Sequence, residues 1–496
     1  MEMAAAAKRV QNGPTAPEWR VTVPEGASVA VEHEACRAAR AWAWLVSFVL
    51  ELRDRVLVFG RRVWRIGADD PRRAVHGLKV GLALALVSVF YYTRPLYDGV
   101  GGAAMWAVLT VVVVFEYTVG GCVYKGFNRA FATASAGVVA LGVHWIASKS
   151  GDEVEPFIRS GSVFLLAAMA TFSRFIPTVK ARFDYGVTIF ILTYSLVAVS
   201  GYRVGALLAM AQQRVSTISI GVSICIAVCT LICPVWAGQE LHRATARNME
   251  KLAGAVEACV EDYFAAEDEA SNKQPSSKAE GYKCVINSKA SEDSQANLAR
   301  WEPGHGGFAF RHPYAQYRNV GAAMRHCAYC VEALSGCVRS AEIQAAPAST
   351  RRLLADACTR VAARCAGVLR AASTSVAEMT TSRGLDLAVG DMNAAVQELQ
   401  DDLRALPSKL LLAEATAGSA LVGAAQLFTI TSLLIEVSAR IEGVVDAVDT
   451  LANLAGFKSA ADENEKPAEF AAKAQPVITN PESEGNRTTT NAIELA

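Results

Sequence analysis

Between Val80 and Trp236 the chain passes through successive apolar stretches of near membrane-spanning length with almost no charge inside them. That segregation constrains the fold more than any other feature. A bilayer core of about 30 Å is crossed by roughly 20 mostly apolar residues in helix. Six stretches approach that length, near 76–93, 103–121, 129–147, 158–175, 185–201 and 215–237. The residues between them are costly to bury: Arg94 and Asp98, then Lys125 and Arg129, then Lys149, Asp152, Glu153 and Glu155, then Lys180, Arg182 and Asp184, then Arg203 and Arg214. Gly81, Ala85, Ala132 and Ala136 would let such helices approach closely, since packing drives association in lipid.

The flanking basic residues set an orientation. Arg53, Arg55, Arg61, Arg62, Arg65, Arg72 and Arg73 precede the first stretch. Arg174, Lys180 and Arg182 follow the fourth, and Arg243, Arg247 and Lys251 follow the sixth. With Lys125 and Arg129 these fall on one side, so both termini are expected in the cytosol, in agreement with an even number of spans. Met1 to Pro17 has no apolar signal-peptide core, and insertion is expected to start from an internal helix. Ala41–Leu50 is too short to span and, with the arginines after it, reads as an interfacial helix on anionic lipid.

Beyond Trp236 the pattern changes to charged amphipathic helix, with Leu241, Met249, Leu252, Val256 and Val260 at helical spacing. The expected fold is all-α: a six-span transmembrane domain followed by a cytosolic helical bundle. In outline, 1–39 is a flexible N-terminal segment, 40–72 the interfacial helix region, 73–238 the transmembrane domain, 239–457 the cytosolic domain with a flexible loop near 267–297, and 458–496 a disordered tail. Breaks are expected at Pro347 and Pro407. Ala415–Ile435 is uncharged and long enough to be a seventh span, but Ser419, Gln426, Ser432 and its threonines favour a buried helix of the tail.

The remaining composition excludes more than it suggests. In 496 residues, 48 basic and 48 acidic side chains balance to zero net charge, which gives no footprint for nucleic acid. The twelve cysteines are scattered; Cys225, Cys229 and Cys233 would share one helical face as small apolar residues. Cys327 and Cys330 form a CxxC without a second ligand pair, so no metal site is expected, and no cofactor. Glu302, His305 and His312 could be imagined as a catalytic or metal cluster. Their glycine neighbours suggest a turn, and no nucleophile motif accompanies them, so no enzyme is expected.

Basic groups beside apolar spans are either snorkelling to the headgroups or lining a polar path. The candidates are Lys79, Lys125, Arg129, Arg174, Lys180, Arg182 and Arg214. Lys125 and Arg129 lie four apart on one helical face, and Arg214 follows two glutamines instead of standing among acids. A ring of such residues would select anions. Glu116, alone in its apolar run, is an intramembrane partner for a basic pore residue, a pH sensor, or a headgroup-level acid. Trp106 and Trp236 read as interfacial anchors.

Several strings carry a resemblance to a known family: Pro71-Arg72-Arg73 with His76-Gly77-Leu78-Lys79-Val80-Gly81; Trp106-Ala107-Val108-Leu109-Thr110 running to Phe115-Glu116; Lys125-Gly126-Phe127-Asn128-Arg129; Arg174-Phe175-Ile176-Pro177; Phe183-Asp184-Tyr185-Gly186; Ser200-Gly201-Tyr202-Arg203; and Pro234-Val235-Trp236-Ala237-Gly238. Trp301-Glu302-Pro303 followed by His305 adds a motif in the tail. The chain resembles the plant aluminium-activated malate transporters, continuously from about residue 62 to 265. The resemblance implies a homodimeric channel of six spans per subunit that passes malate and other anions, with Arg129 and Arg214 matching pore arginines. Lys125, Lys79, Arg174 and Arg182 are the further pore candidates. A proton-coupled organic-acid transporter is the alternative. The plasma membrane is favoured over the vacuolar membrane. Members opened by aluminium resemble one another in carrying outer-face acids; Val204–Ala209 here has none and only Asp98 remains in the first outer loop, so aluminium activation is not expected.

Overall fold

The computed structural model describes residues 37–93, 104–151, 153–200, 207–264, 278–309, 311–340, 348–381, 383–412 and 417–459. The flexible segment expected before residue 37, most of the tail expected from 458, and Arg94, Asp98 and 201–206 on the expected outer face lie outside the described residues. What is described is almost wholly helical. The chain forms two compact units, 1–74 and 75–496. In the first, α1 (Arg37–Asp69) carries the expected interfacial segment, but runs for 33 residues. Trp42, Trp44, Phe48, Phe59 and Trp64 are exposed along it, and Arg55 pairs with Glu51 one turn away at 2.8 Å.

The second unit begins within α2 (Pro71–Tyr92), followed by α3 (Ala104–Val114), α4 (Val119–Lys149), α5 (Glu155–Ser173), α6 (Pro177–Ser200) and α7 (Leu207–Leu231). Among the described residues four helices are long and apolar enough to cross a membrane, namely α4, α5, α6 and α7. The expectation of one span over 103–121 is corrected. The helix ends at Val114, and a new one starts at Val119. The interruption has a local cause: the Thr118 side chain caps α4 by accepting from the Gly121 N–H at 3.2 Å. Residues 119–128 thereby join the third stretch. The eleven residues of α3 cover about 16 Å, roughly half the hydrocarbon core. α7 ends at Leu231, and Cys233 adopts φ 42° outside it, so Cys225 and Cys229 are buried while Cys233 leaves their face. α3 and α4 pack on α7, and α6 on α4 and α5. Much of the α5 surface, including Phe157, Phe164 and Phe172, is exposed, as befits a face meeting lipid or a second subunit.

The tail is a helical bundle: α8 (Ala237–Phe264), short α9 (Gly281–Ile286) and α10 (Lys289–Ala299), then α11 (Tyr314–Val338), α12 (Ala348–Glu378), α13 (Arg383–Leu412) and α14 (Ala417–Ala455). α12 lies along α8 and α13, and α11 along α14. A two-residue parallel pairing, Thr380 with Lys458 and Thr381 with Ser459, ties the end of α12 to the end of α14. Two expectations change. Residues 278–297 are helical where a loop was expected, because Tyr282, Val285, Ala296 and Ala299 reach the bundle core and buried Glu292 receives Arg325 at 2.6 Å. Pro407 lies inside α13 directly after the fully buried Leu406; the missing hydrogen bond is tolerated instead of ending the helix. From Ala417 onward the uncharged segment lies in α14, whose Leu427, Ile430, Leu434, Val437 and Ile441 form one buried stripe in the tail core, in keeping with a buried tail helix.

At the base of the bundle the Tyr317 hydroxyl sits between His242 Nδ1, at 2.9 Å, and His312 Nε2, at 3.1 Å. Burial, with His242 and His305 nearby, lowers His312 to about 4; burial also lowers His242. Both rings stay neutral in the folded bundle near neutral pH, whereas an unfolded histidine takes up a proton below about 6.5. The stabilisation is therefore complete above about 6.5 and is lost as pH falls toward about 4, by up to ~3 kcal/mol for His312. Thermal melting of the detergent-solubilised chain should fall by several degrees between pH 7.5 and 5. His312→Gln should lower stability at pH 7.5 yet flatten that slope; an unchanged slope would count against this origin.

Candidate anion path and its joint to the tail

The short α3 collects the two arginines that the sequence singled out. Trp106 and Thr110 lie four residues apart, so they share one face about 6 Å apart along the axis. Arg214 of α7 lays its guanidinium over the Trp106 ring at 4.3 Å. Arg129 of α4 donates from Nε to the Thr110 hydroxyl at 3.1 Å, and that hydroxyl in turn donates to the Trp106 carbonyl at 2.6 Å. Arg129 is only 3% exposed, and among the described residues no carboxylate pairs with it. The Tyr185 phenol of α6 is within electrostatic reach, although its buried hydroxyl has no partner in hydrogen-bond geometry. Trp106 is therefore a stacking platform for Arg214 as well as an aromatic of the apolar run. Thr110 and Tyr185 stand beside Arg129 and were passed over by sequence reasoning; the four-residue spacing of Trp106 and Thr110 was the available signal.

One turn before Arg129, Lys125 pairs with Glu116 and lies 5.7 Å from the centre of the Tyr185 ring. Of the roles considered for Glu116, the partner of a basic residue matches this contact. Lys79 of α2, also 3% exposed, donates to the Cys233 carbonyl at 2.7 Å. His76, one turn earlier, stands between Phe115 at 5.7 Å and Tyr117 at 5.5 Å. The break between α3 and α4 thus meets the ends of α2 and α7, and Lys79, Lys125, Arg129 and Arg214 are distributed along one helical assembly. Arg174 and Arg182 are placed elsewhere. Arg174 forms a two-pronged pair with Asp184, at 2.7 and 3.1 Å, and Arg182 lines a cavity facing the tail. Among the described residues no group of three metal-ligating side chains occurs; Cys327 of the CxxC is buried.

A family model described as "Aluminium activated malate transporter" matches residues 64–420. The chain belongs to this family. Similar proteins include "Aluminum-activated malate transporter 10" of Arabidopsis thaliana, 46% identical over 491 residues that cover 93% of this chain and 98% of that one. "Aluminum-activated malate transporter 1" of Triticum aestivum is 41% identical, covering 84% and 90%. "Aluminum-activated malate transporter 2" of Arabidopsis thaliana is 42% identical, covering 82% and 80%. Members of the family are transporters, and the chain is a membrane protein and no enzyme.

In this aluminium-activated malate transporter family member, the Trp301-Glu302-Pro303 motif is where the tail joins the membrane helices. The buried Glu302 carboxylate accepts backbone N–H bonds from Gly120 at 3.2 Å, Ala237 at 2.5 Å and Gly238 at 3.0 Å. These donors are in the first turns of α4 and α8, so one carboxylate serves the positive ends of two helices. The Val119 N–H also donates to the Val235 carbonyl at 2.9 Å, holding the two starts together. The approach demands glycine: a Cβ on Gly120 would lie 2.3 Å from the Leu298 carbonyl oxygen, and one on Gly238 would lie 2.5 Å from the Tyr314 hydroxyl. Trp301 packs edge-on to Tyr124 at 5.6 Å, and His305 stacks on Trp236 at 3.8 Å. Burial raises the Glu302 carboxyl, opposed by its three N–H donors.

Proposed function

We propose that the chain is a passive anion channel that passes malate and other anions through a path lined by Arg129 and Arg214, with Lys125 and Lys79 toward the joint. The observation that carries this reading is the buried Arg129 guanidinium, held by a neutral hydroxyl with no carboxylate among the described residues. A charge so placed is costly in lipid and is sustained by water or an anion in a path beside it. A guanidinium fork binds carboxylate bidentately, and the neutral anchor leaves it free to do so. Relatives bearing malate-transporter names support malate as a substrate.

The same reading takes α2, and the stretch 94–118 that holds the short α3, as two further crossings, six in all, with both termini and the tail bundle in the cytosol, two subunits, and the plasma membrane as the compartment. The charge asymmetry of the flanks supports that orientation, and α1, with aromatics and arginines exposed, suits the membrane surface. At about −100 mV a dianion leaving the cytosol gains about 4.6 kcal/mol, so conduction needs no coupled energy source.

Voltage-clamp recording with substituted anions tests this. Reversal potentials should follow the permeant-anion gradient and be independent of the proton gradient at constant anion composition. A shift with pH in fixed stoichiometry would establish proton-coupled exchange instead. In the same cells, aluminium at acidic external pH should leave the current unchanged, since Val204–Ala209 offers no carboxylate to a hard trivalent cation; a robust aluminium-evoked current would contradict that part.

A further inference from the structure

Below the joint, a cavity of about 520 Å³ opens between the membrane helices and the tail. Arg182 of α6 and Arg300 after α10 both line it, with Tyr124, Ser294, Asn297 and Trp301 among the other walls, and no acidic residue. Neither arginine has an ion pair among the described residues. The nearest acids in sequence are engaged elsewhere, Asp184 with Arg174 at 2.7 Å and Glu302 with the Gly120, Ala237 and Gly238 N–H groups at the joint. Two like charges brought into one cavity by two separate elements leave a demand for an anion, and guanidinium groups with amide and hydroxyl donors suit phosphate. Phe183 lines this cavity and also a second one, of about 200 Å³, whose walls include Phe131, Ala132, Ala170, Val187 and Phe190 of α4, α5 and α6. The second cavity lies among the transmembrane helices and is mostly apolar.

We propose that the pair of cavities is one lipid site: the cationic cavity takes the phosphorylated headgroup of an anionic phospholipid from the cytosolic leaflet, and the apolar cleft takes part of its acyl chain. The wall that the two cavities share at Phe183 favours a lipid over a free phosphate ester, which would have no use for the apolar cleft. A bound headgroup bridges Arg182 on the membrane side and Arg300 on the tail side, so lipid occupancy would tighten the joint that Glu302 makes. The leaflet assignment rests on the orientation proposed above; the site itself does not.

The test is binding to the full-length protein in detergent micelles, with dioctanoyl phosphatidylinositol bisphosphate, soluble inositol trisphosphate and dioctanoyl phosphatidylcholine as probes. The wild type should bind the phosphoinositide at least tenfold more tightly than either of the others. The doubly substituted protein Arg182→Gln, Arg300→Gln should lose at least tenfold of that affinity with an unchanged melting temperature, both positions being exposed. Ala170→Trp, which fills the cleft, should weaken the phosphoinositide and leave inositol trisphosphate where it was. Equal affinity for lipid and soluble headgroup would overturn the lipid assignment in favour of a free phosphate ligand. Unchanged phosphoinositide affinity in the double variant would overturn the site. Because binding is read without current, failure here is distinguishable from failure of the channel reading, which the reversal potentials decide.

Discussion

Arg129→Gln is expected to cut anion current at least tenfold with normal surface abundance. A unit charge pair about 4 Å apart is worth about 4 kcal/mol at an effective dielectric near 20, and tenfold in rate needs only about 1.4. Glutamine removes the charge but still reaches Thr110, and taking an unpaired charge out of the interior does not threaten the fold. Arg129→Lys separates charge from geometry: the ammonium keeps the field and loses the two-pronged fork. An intermediate current with a lower preference for malate over chloride should result. Arg174→Gln is the contrast. Its charge is already matched by Asp184, at 2.7 and 3.1 Å, so the anion selectivity should stay as it is. Wild-type current from Arg129→Gln at normal surface abundance would remove this residue from the path. If Arg174→Gln instead altered selectivity, the division between the paired and unpaired arginines would be wrong.

That division was only half legible in the sequence. Charge beside apolar runs, where lipid penalises it, made Arg129 and Arg214 candidates, and the family strings singled them out. Arg174 and Arg182 carried the same signal, yet their settings depend on partners across a helix break and in the tail, ten residues and more away, which periodicity does not reveal. Apolar length located α4 through α7 but not their starts: α5 begins within three residues of the expected position, whereas α4 begins ten residues early and α6 and α7 eight. It read straight through 115–118, because Val111–Phe115 is as apolar as a span; the interruption comes from the Thr118 cap and the Glu116–Lys125 pair, both set by three-dimensional contact. In the tail, α9 and α10 are too short for helical periodicity to stand out from their polar neighbours, and they are fixed by Tyr282, Val285 and Glu292 against α8 and α11. The α14 segment was legible the other way: enough Ser, Thr and Gln to weaken insertion, and enough Leu and Ile at helical spacing to build a core.

Glu302→Ala should loosen the tail from the membrane helices more than any other single change at the joint. It leaves three N–H groups, of Gly120, Ala237 and Gly238, without their acceptor. A buried donor left unsatisfied costs about 1–3 kcal/mol, reduced where water enters the vacated space, so a loss of roughly 3 kcal/mol is expected in all. Glu302→Gln is the sharper probe. Its carbonyl oxygen can keep the bonds from Gly120 and Ala237, while its amide nitrogen would confront the Gly238 N–H, donor against donor. Glutamine should therefore cost less than alanine, with the damage concentrated at the start of α8. Hydrogen exchange on the full-length protein reads this directly: alanine should speed exchange at both 119–122 and 237–240, glutamine chiefly at 237–240. Equal protection in wild type and both variants would mean that the Val119–Val235 bond and the packing of Trp301 and His305 hold the joint alone. If the joint is also the coupling through which the tail biases the path, alanine should change the voltage dependence of the current while leaving anion selectivity intact, because Arg129 and Arg214 are anchored on α3 independently of the tail. A selectivity change in Glu302→Ala would show instead that the path extends down to the joint.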